Sequence, residues 1–145
     1  MDIKKILKLH SEWLQDNDAG DRADFSYADL SCTDLSRADL SHANFLNANL
    51  SWVNFLGANL SLADLSCANL RNVIGNDREI KNIKTPIWRV VYTKKILQIG
   101  CENHTIEEWK SFTDDEVNAM DRDVLEWSKE WFPVIFETIK RDPSI

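Results

Sequence analysis

Four aspartates, Asp24, Asp29, Asp34 and Asp39, recur every five residues, and Cys101, His104, Glu108 and Trp109 fall within nine residues of one another. Regular carboxylates raise the question of a divalent cation, whose oxygen ligands must converge to about 2.0–2.6 Å from one ion. A cysteine three residues before a histidine offers two other chemistries, a thiolate activated by imidazole or half of a zinc site. Zinc would need two more ligands, and the other cysteines and histidines, Cys32, Cys67, His10 and His42, lie far away in the chain. A catalytic pair would need an oxyanion-stabilising group and a residue to orient the base. The expectation is no catalytic residue, no metal and no cofactor, with Cys101 a small buried thiol and His104 a hydrogen-bonded imidazole.

The aspartates belong to a longer pattern. From Ala23 to Asn72 the chain reads ADFSY, ADLSC, TDLSR, ADLSH, ANFLN, ANLSW, VNFLG, ANLSL, ADLSC and ANLRN, ten five-residue units without an insertion. A period kept this strictly predicts a stacked repeat in which each unit buries its apolar residue against its neighbours. The motif resembles the pentapeptide-repeat family, whose consensus is A(D/N)LXX. That resemblance implies a short right-handed quadrilateral β-helix, four units per coil, with the central Leu or Phe and the small residue two before it pointing inward. At the ordinary strand spacing of roughly 4.8 Å, two and a half coils would stand only about 12 Å tall. Successive aspartates would then lie on successive sides and diverge by about 90°, which disfavours a metal site. Short polar side chains at such corners bond the local backbone instead.

On that square the first coil is acidic, with Asp24, Asp29, Asp34 and Asp39. The second is neutral, with Asn44, Asn49, Asn54 and Asn59, and carries Leu46, Trp52, Leu56 and Leu62 at outward positions. An apolar belt of this kind predicts cover, by the C-terminal segment or by a second subunit.

The N-terminal segment predicts a capping helix, since Ile3, Ile6, Leu7, His10, Trp13 and Leu14 share one face, with Asp2 as N-cap. A solenoid end leaves unpaired edges that a cap must cover. His10 on that face is expected to be packed and hydrogen-bonded. After Asn72 the repeat decays through Val73, Ile74 and Gly75. Trp88–Tyr92 and Ile96–Ile99 read as a hairpin. Thr105 with Glu108 and Thr113 with Glu116 match the capping box, and Asp121 or Asp123 opens a last helix that Pro133 should kink. The domain reading is therefore a capping helix over 1–20, the repeat over 21–75, and a small α+β C-terminal lobe over 76–145. The tail, IGCENHTIEEWKSFTDDEVNAMD followed by LEW and a further Trp, is similar to the C-terminal part of small pentapeptide-repeat proteins of tailed bacteriophages and prophages. That likeness implies a phage accessory protein and supplies no catalytic residues.

Charge limits the partners. The 145 residues carry a net charge of −7, spread along the chain, with no basic cluster to neutralise phosphates, so direct nucleic-acid binding is not expected. No apolar stretch suits a membrane and no leader is evident, and three cysteines fit a reduced compartment, so a protein of the host cell cytoplasm is expected. The candidate binding residues are the acidic row Asp24, Asp29, Asp34 and Asp39, the belt residue Trp52, and Trp88, Tyr92, His104 and Trp109 of the tail. Six tryptophans supply packing first, and recognition second.

Three functions compete on these residues. The leading expectation is a non-enzymatic homodimeric protein that binds and blocks or sequesters a host factor, as an anti-defence inhibitor. An alternative is a sponge for a nucleotide-like immune signal held between tail aromatics and coil side chains. An enzyme using Cys101 and His104 ranks last. Some relatives in the resembling family imitate duplex DNA and inhibit gyrase, but a coil about 12 Å tall is too short for that grip, leaving an acidic block of a smaller DNA-binding groove.

Overall fold

The computed structural model describes residues 1–121 and 123–145. Helix α1 (Ile3–Gln15) starts where Asp2 accepts a hydrogen bond from the Lys5 amide, and it lays Ile3, Ile6 and Leu7 on the open end of the repeat. His10 is fully buried, and its Nδ1 accepts the Ala23 N–H at 3.1 Å. The chain then turns beneath the helix at Gly20, with φ +69°, where an added Cβ would lie 2.2 Å from the Leu9 carbonyl. Only glycine fits that passage.

Residues 23–74 wind into a β-helix-like coil. Parallel bridges join Asp24 to Asn44, Asp29 to Asn49, Asp34 to Asn54 and Asp39 to Asn59, and the next turn continues from Asn44 to Asp64 and Asn54 to Ile74. One coil is therefore twenty residues, or four units. Phe25, Leu30, Leu35, Leu40, Phe45, Leu50, Phe55, Leu60, Leu65 and Leu70 are all buried inside, with Phe25 stacked on Phe45 at 5.2 Å. The fifth residue of each unit turns the corner with positive φ, as at Tyr27, Cys32, Arg37, His42, Trp52 and Leu62. Side chains of these types disfavour that region. The ladder on either side fixes the backbone there regardless.

The Asp and Asn positions form a second ladder outside. In the first coil each aspartate Oδ1 accepts the amide two residues on, as Asp29 does from Ser31 at 3.0 Å, and also the side-chain amide one coil above, as from Asn49 at 3.0 Å. The same pairs join Asn44 to Asp24, Asn54 to Asp34 and Asn59 to Asp39. The change from Asp in one coil to Asn in the next has a cause: stacked carboxylates would repel at strand spacing, whereas an amide donates to the carboxylate below.

The coil ends where side-chain amides replace the next one. Within the coil, Asn69 N–H donates to Ala48 C=O and Leu50 N–H to Asn69 C=O. One turn later the Ala68 carbonyl accepts from Asn103 Nδ2 at 2.6 Å, and the Leu70 amide donates to Gln98 Oε1 at 2.7 Å. On the adjacent side Asn82 does both, giving Nδ2 to the Val73 carbonyl and taking the Gly75 amide on Oδ1, each at 3.1 Å. Asn76 Nδ2 reaches the Ala58 carbonyl at 3.0 Å. A primary amide has the donor and acceptor of a peptide bond, so these residues stop the stacking where they stand without orphaning the groups they meet.

These asparagines and the glutamine come mostly from an antiparallel sheet of β1 (Lys81–Lys84), β2 (Arg89–Tyr92), β3 (Ile96–Ile99) and β4 (Glu102–Thr105), in that order. The expected hairpin is its middle pair, with β2 beginning one residue after Trp88. The outer strands, KNIK and ENHT, are too polar to read as strands. Their inward residues meet the polar backbone edge of the coil rather than an apolar core, which removes the usual signal. Behind the sheet lie α2 (Ile106–Ser111), α3 (Asp114–Met120) and α4 (Val124–Arg141). Both expected capping boxes form, Thr105 with Glu108 and Thr113 with Glu116. Asp123 precedes α4 without a side-chain cap, and Pro133 lies inside a helix that continues to Arg141. Trp109, Trp127, Ile135, Tyr92, Leu97 and Ile99 make this second core.

His10 yields a pH prediction. Burial lowers its pKa below the ordinary histidine value, aided by Arg22 and His42 and opposed by the Ser41 backbone and Asp39. The unfolded chain therefore binds the proton more readily, and the stability this residue contributes is present above an unfolded pKa of about 6.5 and is lost as pH falls below it. Urea unfolding at about pH 7.5 and about pH 5.5 should give a lower midpoint at the acidic pH. His10→Asn, which keeps an acceptor for Ala23, should reduce that difference. An unchanged difference in the variant would assign the titration to other groups.

Candidate functional site

The acidic row is built by the repeat itself. Asp24, Asp29, Asp34 and Asp39 occupy four successive sides of the first coil, and each has one oxygen committed to its own turn and to the Asn above. Those bonds have an electrostatic result: the Ser26 amide lowers the Asp24 pKa, and the Ser31 and Ser36 hydroxyls lead the lowering at Asp29 and Asp34. Asp24, Asp29 and Asp34 therefore stay ionised to lower pH than an ordinary aspartate, on the outer face of the first coil. Among the described residues no group of three or more His, Cys, Asp or Glu gathers as metal ligands would.

The apolar belt departs from expectation. Trp52, Leu56 and Leu62 are 58%, 58% and 77% exposed, and only Leu46 is half-buried. Cover by the C-terminal segment is corrected here. That segment meets the end of the coil through Asn82, Gln98 and Asn103, and an end-on cap leaves the flanks of the coil open. Trp52 and Leu56 flank the side that carries Asp34 and Asn54, and Ile74, 53% exposed, extends the same outward column. Ile74 is a residue that the reading by composition missed. Its signal was present, because it falls five residues after Asn69 in the Asp/Asn register.

The tail candidates separate by burial. Tyr92 and Trp109 are each 1% exposed, so neither has a face free for a ligand, and the expectation that they are contact residues is corrected. The Tyr92 hydroxyl donates to the Asp142 carbonyl at 2.8 Å, and burial, followed by the Asp142 charge, raises its pKa. Trp109 donates its indole N–H to the Leu97 carbonyl at 2.7 Å. His104 is partly exposed on β4, 3.3 Å from the Glu102 carboxylate, with its ring edge-on to Trp109 and Phe112. Cys101 is exposed in the turn before β4, contrary to the buried thiol expected, and no hydrogen bond joins it to His104. Alternation along β4 puts Glu102 and His104 on one face. Trp88 is half-buried and lines a cleft between Ile74 and the β1–β2 pair. The structure therefore gathers no single site from these residues: it offers an acidic band, an apolar flank and a cleft at the flank's upper end.

Residues 21–55 and 43–74 match the family model for pentapeptide repeats, with eight copies. No curated protein matches the chain. Among the described residues no helix is long and apolar enough to cross a membrane.

Proposed function

Taking residues 21–74 as pentapeptide repeats, we propose that this is a non-enzymatic phage accessory protein that binds and blocks a host protein in the host cytoplasm, as an inhibitor of a defence or DNA-handling factor. The reading includes a right-handed winding for the coil and a homodimer as the active form. The observation that carries it is the uncovered apolar flank, Trp52, Leu56 and Ile74, grouped on one side of a coil on which Tyr27 and Leu62 are the other large apolar side chains exposed. Exposed apolar groups grouped in this way suit a partner surface, and tryptophan is the side chain most enriched at interface hot spots. The acidic band beside it would steer a basic partner, with a strong dependence on salt.

The test is stoichiometry with named variants. Trp52→Ala should change stability by less than about 0.5 kcal/mol, as exposed substitutions do, while a host protein retained on native mass spectrometry of the purified wild type is lost. Charge reversal at Asp24, Asp29, Asp34 and Asp39 should weaken that complex most at low salt. Cys101→Ser should keep the effect. If the Trp52 variant retains the partner in full, the flank is not the contact, and if catalytic amounts turn over a substrate in a Cys101-dependent way, the protein is an enzyme. A self-complex lost with Trp52→Ala and no host protein would make the flank a dimer surface only.

A further inference from the structure

The upper end of the coil is closed unevenly. Unit 68–72 has its Ala68 carbonyl and Leu70 amide taken by Asn103 and Gln98, and the next unit has its Val73 carbonyl and Gly75 amide taken by Asn82. On a third side Asn76 takes the Ala58 carbonyl. On the fourth, 63–67, neither the Ala63 carbonyl nor the Leu65 and Cys67 amides meet a partner among the described residues. The same groups one coil below are all used: the Asp64 amide donates to Ala43 C=O at 2.9 Å, Phe45 N–H donates to Asp64 C=O at 2.7 Å, and Asn47 N–H donates to Ser66 C=O at 3.0 Å. Leu65 is only 8% exposed, and an unpaired backbone donor in so buried a residue calls for a partner.

Asp64 is incomplete in the same direction. Asp24, Asp29, Asp34 and Asp39 each accept a side-chain amide from the coil above, whereas Asp64 accepts only from Ser66 in its own turn and forms no ion pair among the described residues. A cleft of about 210 Å³ runs along this edge, lined by Ala63, Asp64 and Leu65, with Leu60, Ile96 and Ile145 adding apolar surface. Alternation along β3 puts Ile96 on the face of Gln98, whose amide is bonded to the coil, so both turn toward the coil end. The volume falls below the range of about 300–1,000 Å³ common to small-ligand sites and suits a single side chain. Lys94 and Lys95 line it together with Asp64 and Glu79, a balance of charge that disfavours a bare ion.

We propose that an extended segment of another protein adds to this edge as a parallel strand, in the place of the missing unit. One of its residues donates its N–H to the Ala63 carbonyl and accepts the Leu65 N–H, as Asp64 does for Ala43 and Phe45. An asparagine at that residue sets its amide over Asp64, as Asn44 does over Asp24, and an aliphatic residue after it enters the cleft against Leu60, Leu65 and Ile96. Main-chain bonds supply affinity in such strand addition, and side chains choose the sequence. Every Asn-Leu or Asn-Phe pair of this chain is already held in the coil, at Asn44, Asn49, Asn54, Asn59 and Asn69, so a folded second copy has no such segment to give. The edge is separate from the partner contact proposed above, which lies two sides away on the column of Asp34, Asn54 and Ile74.

Titration of the isotope-labelled full chain with the peptide acetyl-Ser-Ala-Asn-Leu-Ser-amide, followed by amide correlation NMR, tests it. The Leu65 and Cys67 amide protons should move downfield and saturate at millimolar peptide. Methylating the backbone nitrogen of the peptide's asparagine, which removes the donor for Ala63, should weaken binding about tenfold. Aspartate in place of that asparagine should weaken it about fivefold, by repulsion from Asp64, and the Asp64→Asn protein should bind the two peptides within about twofold of each other. No shift at Leu65 and Cys67, equal binding by the methylated peptide, or shifts confined to Trp52 and Leu56 overturns the proposal. Shifts of the two amides that arise without peptide as protein concentration rises overturn it too, because they make the edge a contact between copies.

Discussion

Leu50→Ala should destabilise the protein by about 2–5 kcal/mol, the range for a buried leucine whose removal leaves a cavity. Leu50 has no exposed surface. It stands between Leu30 one coil below and Leu70 one coil above, and its own amide donates to Asn69 while Asn49 beside it donates to Ala28. Relaxation could close such a cavity only by moving a backbone bonded on both edges, so the upper part of the range is expected. Equilibrium urea unfolding followed by far-ultraviolet circular dichroism measures the loss. A change below about 0.5 kcal/mol would mean that the central position does not point inward, and the whole coil assignment would fall with it.

Trp109→Ala should cost about 3–5 kcal/mol, from the lost ring and the cavity it leaves. The indole touches His104, Phe112 and Phe132 edge-on at ring separations of 5.3–5.6 Å, and its N–H satisfies the Leu97 carbonyl in the middle of the sheet. Trp109→Phe keeps one six-membered ring and removes the indole N–H with the rest of the bicycle, so it should lose at least about 1–3 kcal/mol, for the carbonyl left without its donor, and less than the alanine variant loses. Near-ultraviolet circular dichroism and calorimetry of the two variants give the comparison. If Trp109→Ala leaves the melting transition in place but abolishes partner binding, the residue is a contact side chain and its place in the core is wrong.

The two predictions rest on signals of different visibility. Leu50 was legible because a five-residue period fixes which side chain faces inward before any coordinate is known. The same period placed Phe25 through Leu70 inside, and local chemistry placed the Asp2 cap and the capping boxes at Thr105 and Thr113. These features depend on neighbours in sequence or on a fixed translation along it, and a sequence displays both directly. Trp109 carried no such mark, since a tryptophan at helical spacing suits a core or a contact surface equally.

What tertiary structure decided lies between distant segments. Amide side chains at Asn82, Gln98 and Asn103 became the missing coil only because β1, β3 and β4 were set against it, and β1 and β4 escaped notice because their inward residues meet peptide groups rather than apolar ones. The Asp-to-Asn alternation was visible as two rings, but its meaning required the twenty-residue stacking that brings Asn49 onto Asp29. Whether the belt was covered could not be settled by exposed leucines and a tryptophan alone. That depended on the C-terminal lobe docking at the end of the coil, where unpaired backbone needed partners, and so leaving Trp52, Leu56 and Ile74 in water. Asp64 is likewise one more aspartate of the repeat in sequence, and only the placing of Asn76, Asn82, Gln98 and Asn103 on the other sides leaves its edge of the coil without a partner.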